Sequence, residues 1–135
     1  MSAAASPLGD ADFIAAFESC TLPPGQFHHR DHIRLAFLYL RRHPPMEALA
    51  RFTTGLRRYA VSLGAPTLYH ETITWAYLLL IHERMQRDPE VDFEAFAEAH
   101  VDLFVRQPSV LERYYLPETL TSELARRTFL FPDAR

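Results

Sequence analysis

"HRDHIRLAFLYLRRHPPMEALARFTTGLRRYAVSLG", residues 29–64, reads as two helices with a hard stop between them. From His29 to Arg42 the apolar side chains fall nearly all round, the pattern of a helix buried on most sides. His43, Pro44 and Pro45 end it, because proline lacks the N–H that the helical ladder needs. Pro45 then suits the first turn of the next helix. There Leu49, Phe52, Leu56, Ala60 and Leu63 trace one stripe, Arg51, Arg57 and Arg58 face water, and Gly64 is a natural terminator.

Working outward, "ADFIAAFESC" forms a short helix with Asp10 as its cap, closed by "TLPPG". A fourth helix, "ETITWAYLLLIHERMQRD", follows "APTLYH". "PEVDFEAFAEAHVDLF" reads as a shorter amphipathic helix with acidic exposed positions. The tail holds two short helices around Pro117, the second capped by Thr121. No period-two alternation or hairpin signal occurs. The expected fold is therefore all-α: a compact helical bundle with three long core helices and several short flanking ones. Residues 1–9 are expected to be a flexible tail and 10–135 a single helical domain, a length that supports a core without staples.

Composition excludes several classes. With 48% hydrophobic and 23% charged residues the chain has enough apolar surface to fold rather than remain disordered. The net charge of -3 is spread along the chain without a basic stripe, which argues against nucleic acid as a partner. All 14 basic residues are arginine, so lysine-based Schiff-base and general-base chemistry is excluded. "IRLAFLYL" is too short to span a bilayer, and "MSAAASPLGDADF" lacks the basic start and apolar block of a secretory signal. The expectation is a cytoplasmic protein with no membrane partner. Cys20 is the single cysteine and reads as a lone buried thiol, since no local motif pairs it with a histidine as a nucleophile. The Arg-rich face of the third helix and the acidic fifth helix leave room for a homo-oligomer.

Chemistry concentrates at two helix starts. "FHHRDH" places His28, His29 and His32 in one turn, with pairs spaced three and four apart that project to one side. A helix N-terminus disfavours imidazolium, and neutral imidazole is the form that binds a metal or acts as a base. Asp31 in the same turn is either a cap or an acceptor for a histidine N–H. "LYHETIT" supplies His70 and Glu71 at the start of the fourth helix. Up-down connectivity would make the second and fourth helices parallel and bring these two ends to one level.

The candidate site is thus a divalent metal, Fe or Zn, held by His29, His32 and His70, with an open position for a small polar substrate. Glu71 and Tyr69 would move protons, and Arg34, Thr74 and Tyr77 would bind the substrate. The reaction lies between metal-assisted hydrolysis or lyase chemistry and oxygen-dependent oxidation. Two alternatives stand beside it. One is a non-catalytic module binding an apolar or aromatic small molecule between the second and fourth helices. The other is a metal-free acid/base enzyme using His29 or His32. A bland reading makes these imidazoles ordinary first-turn residues of a solvated helix start.

"FHHRDHIRLAFLYL", "YHETITWAYLLLI" and "YYLPETLTSELARRTFLFPD" together resemble segments of an uncharacterised family of small bacterial all-helical proteins, over most of the chain beyond residue 20. The resemblance implies an F-x-H-x-x-H pattern on Phe27, His29 and His32, and it carries no activity. In architecture a three-histidine helical bundle is similar to DinB-like metal proteins, by analogy only. Their paired histidines come late in the chain, a different ligand order.

Overall fold

In a computed structural model of the chain, residues 7–134 are described. They form seven α-helices: α1 Asp10–Glu18, α2 His29–Arg42, α3 Pro45–Ser62, α4 Glu71–Arg87, α5 Phe93–Ala99, α6 Pro117–Leu120 and α7 Glu123–Arg127. Short 3-10 turns follow α1, α3 and α5, and no strand occurs among the described residues. The chain is all-α, and its three long helices are α2, α3 and α4. No described helix is long and apolar enough to cross a membrane. The backbone divides into two compact units, Met1–Leu68 and Tyr69–Arg135. The tail expected over residues 1–9 lies largely outside the described residues, but the carbonyl of Leu8 is held by Arg34.

In the first unit α3 packs on both α1 and α2. Gly55 is why α1 can approach so closely: a Cβ there would sit 2.5 Å from Cε2 of Phe17. Phe17 in turn meets Phe27 and Tyr59, with ring centroids 5.4 and 5.8 Å apart. The Tyr59 hydroxyl donates to the Leu22 carbonyl at 2.7 Å, so the buried phenol is satisfied.

Both α1 and α3 end in the same motif. After α3, Gly64 adopts φ 70° and Ala65 N–H reaches back to the Ala60 carbonyl. After α1, Cys20 occupies the equivalent position at φ 60°, with Thr21 N–H on the Ala16 carbonyl. The stop thus precedes the prolines assigned to it, and a residue with a Cβ bears the left-handed conformation. Other boundaries shift for local reasons as well. Gly9, not Asp10, flanks α1, because the Asp10 carboxylate pairs with Arg34 at 2.9 Å. Leu63, assigned to the apolar stripe, is 41% exposed because it belongs to the terminating turn.

In the second unit α7 and the 3-10 turn Val110–Arg113 pack on α4. The α5 helix is shorter than its apolar pattern suggested, since Asp92 caps it by accepting from Ala95 N–H at 2.9 Å. Ser122 rather than Thr121 caps α7. Arg84 on α4 grips both oxygens of Asp102 at 2.9 and 2.8 Å, and Arg113 adds a third bond at 3.1 Å. The Arg84 guanidinium thereby holds the Asp102 carboxyl down at about 2.

Candidate functional site

The two histidine-bearing helix starts are built differently. At α2 the N-cap is His28, whose N–H donates to the Asp31 carboxylate at 2.9 Å. Asp31 is fully buried and serves as the reciprocal arm of a capping box. The exposed His28 ring contacts the Gly25 carbonyl at 2.8 Å. His32, one turn in, stacks on Phe27 at 4.0 Å with an interplanar angle of 20°. Its ring extends the aromatic cluster of Phe13, Phe17, Phe27 and Tyr59. His29 is half-buried in the first helical turn.

At α4 the histidine ring itself is the cap. His70 Nδ1 accepts from Ile73 N–H at 3.1 Å, and Nε2 meets the Leu120 carbonyl at 2.7 Å. A carbonyl oxygen can only accept, so Nε2 carries the proton and Nδ1 carries the lone pair. One state satisfies both bonds: the neutral ring protonated on Nε2. Burial, to 8% exposure, lowers the His70 pKa, and Arg126 reinforces this while the Leu120 bond opposes it. Both nitrogens are therefore committed to backbone, and metal ligation would require breaking one of these bonds. Among the described residues no group of three or more His, Cys, Asp or Glu is arranged to hold a metal ion. Of the three histidines expected to share a metal, His29 and His32 belong to the first unit and His70 to the second.

The remaining candidates have structural partners too. Glu71 accepts from the Tyr69 hydroxyl and, at 3.0 Å, from Trp75 Nε1. The two residues expected to share proton transfer do meet, but the carboxylate anchors the first turn of α4. Arg34 donates to the Leu8 carbonyl at 2.8 Å and pairs with Asp10, while its guanidinium lies 4.4 Å from the Phe13 ring centre. It pins the start of α1. The Tyr77 hydroxyl bonds Ser109 Oγ at 2.8 Å, and Thr74 is buried.

A different face of α4 opens onto a cleft. Ala76, Leu79, Leu80 and Glu83 are spaced three, four and seven apart and so share a side of the helix. Opposite them stand Leu111, Tyr114, Tyr115, Phe129 and Pro132, enclosing about 270 Å³. The outer wall is the segment 128–134, which has no regular structure yet is fastened along its length. The Thr72 hydroxyl donates to the Thr128 carbonyl at 2.8 Å and accepts from Leu130 N–H at 3.1 Å. The Tyr115 hydroxyl donates to the Leu130 carbonyl at 2.8 Å. Asp133 accepts from Leu116 N–H and the Thr119 hydroxyl, which hold its carboxyl below the usual range. Its own N–H, with that of Ala134, closes on the Tyr114 carbonyl.

These bonds hold Phe129 against Trp75, stacked at 5.0 Å, and leave the cleft lined by aliphatic and aromatic groups with one carboxylate. Sequence reasoning missed it because its lining comes from three separated segments with no common period. The only traces were the paired Tyr114 and Tyr115 and the run "TFLFPD". Comparison with protein-family models, curated proteins and solved structures returns no match.

Proposed function

We propose that this protein is a small-ligand-binding helical module, and that the cleft between α4 and the segment 128–134 takes a small apolar or aromatic molecule bearing a cationic or hydrogen-bond-donating head. The observation that carries this reading is the wall itself. A stretch of irregular chain is tied down by Thr72, Tyr115 and Asp133 so that Tyr114, Phe129 and Pro132 face α4 across open space. A concave apolar lining with one polar group to orient the guest is what small-molecule sites require. Glu83, at the edge of the cleft, is 62% exposed and has only a long 3.5 Å pair with the exposed Arg87, which gives the preference for a donor or a cation. A guest of on the order of ten non-hydrogen atoms, contributing about 0.5 kcal/mol each, has a Kd of roughly 0.2 mM.

Titration of benzylamine, benzyl alcohol and benzoate, followed by protein NMR, tests the proposal. Shifts are expected at Leu79, Tyr114 and Phe129, with benzylamine binding best and benzoate worst. Ala76→Phe, which fills the cleft, abolishes the shifts, and Glu83→Gln levels the three ligands. Shifts located elsewhere, or binding indifferent to Ala76→Phe, would sink the proposal.

A further inference from the structure

The first unit carries a second, chemically opposite cleft of about 380 Å³. One wall is α3, where Arg51, Thr54, Gly55 and Arg58 fall at spacings of three, four and seven and share a face. The other wall is Glu18 and Tyr39. Gly55 sets the distance between them: the absence of its Cβ admits Phe17, and Phe17 brings the adjacent Glu18 beside α3. The Tyr39 hydroxyl donates to Glu18 Oε2 at 2.6 Å, which holds one carboxylate oxygen and leaves the other open.

The charges here are incompletely used. Arg51 has a long 3.4 Å pair with Glu47, itself shared with His43. Arg58 has no hydrogen-bond or ion-pair partner among the described residues, and neither does the Thr54 hydroxyl. Burial and Glu18 push the Tyr39 hydroxyl's pKa well up, and both guanidiniums act on it in the opposite sense, so all four groups converge on one place.

We propose that this cleft binds a small zwitterion of the amino-acid type, its carboxylate on Arg51, Thr54 and Arg58 and its ammonium on Glu18. Two guanidiniums, one of them already partly neutralised by Glu47, set against one fixed carboxylate make a site that is close to neutral and strongly polarised. A dianion such as phosphate gains from the arginines and is repelled by Glu18. A zwitterion satisfies both signs at once, and planar guanidinium suits a carboxylate.

The test is NMR titration of the whole chain with glycine, L-alanine, acetate, methylamine and inorganic phosphate, read at the amides of Glu18, Thr54 and Arg58. Glycine and alanine are expected to shift these amides, with acetate and methylamine at least about tenfold weaker. Arg58→Ala and Glu18→Gln each weaken the amino acids by about tenfold, and Arg58→Lys restores part of the loss. Arg58 is exposed, so these variants are expected to fold normally. Phosphate binding more tightly than glycine, and more tightly still in Glu18→Gln, would make this an anion site and overturn the proposal. Silent amides up to about 10 mM of every probe would remove the site altogether.

Discussion

α2 and α4 both open on histidine, and the two starts solve the same problem with different partners. A helix start leaves N–H groups unpaired and favours negative or neutral acceptors. At α2 the cap is a reciprocal box: the His28 side chain faces the Asp31 N–H, while the buried Asp31 carboxylate accepts from the His28 N–H at 2.9 Å. At α4 there is no carboxylate three residues on. The imidazole of His70 accepts from the Ile73 backbone, and its other nitrogen ties the helix to Leu120, fifty residues later. The difference teaches that histidine at a helix start does not by itself signal chemistry. What differs is whether a carboxylate three residues on shares the capping role.

Substitution should break the comparison most sharply at His70. His70→Ala removes the cap, leaves the Leu120 carbonyl without its donor and opens a cavity, for an expected loss of about 2–4 kcal/mol by urea denaturation. His70→Asn, which can cap but cannot reach Leu120, should recover about 1 kcal/mol of that. If both variants unfold at the wild-type midpoint, the ring does not play this part. Asp31→Ala comes next, with about 1–2 kcal/mol lost at the corresponding place in α2. His28→Ala removes only the exposed arm of the box and should cost about 0.5–1 kcal/mol, less than Asp31→Ala.

Acid should probe the α4 start without mutation. The folded state depresses the His70 pKa below 6.5, chiefly by burial, so the unfolded chain binds the extra proton first. The stability due to the neutral ring is thus complete above about 6.5 and drains away as pH falls toward the lower folded value. His100 is depressed likewise, by burial and by Arg84, and adds a slope of the same sign. Asp102 acts in a separate window, since its contribution persists above 3.8 and fades only as pH falls toward about 2. The urea midpoint is therefore expected to drop between pH 7.5 and 5.5, and the drop to shrink in His70→Asn. A pH-independent midpoint over that interval would contradict the assignment. The two helix ends respond through the backbone alone: Cys20→Gly relieves a left-handed Cβ and should stabilise by up to about 1 kcal/mol, while Gly64→Ala costs a similar amount.

Much of the fold was readable because its determinants are local. Proline stops and apolar periodicity placed α2 with both ends correct and α3 and α4 to within two residues. The position of Asp31 left a cap and an acceptor for a histidine N–H both open, and the structure makes it the N3 arm of a capping box. The site was less legible because ring nitrogens are assigned by tertiary partners. Nothing near position 70 announces that Leu120 will take one of them. The cleft was hidden for a related reason. Thr72 reads as one more hydroxyl in an apolar helix, yet it fastens both Thr128 and Leu130 and so turns the irregular tail into a wall. Ala76 and Leu79 read as packing positions because the segment facing them has no pattern of its own.

The most direct test is the protonation of one ring. Long-range proton–nitrogen NMR of His70 at pH 7, before and after one equivalent of Zn²⁺, reports which nitrogen carries hydrogen and whether either binds metal. The account predicts a neutral ring protonated on Nε2, unchanged by zinc. A ring protonated on Nδ1, or zinc-induced shifts shared by His70, His29 and His32, would contradict it and return the metal centre to first place.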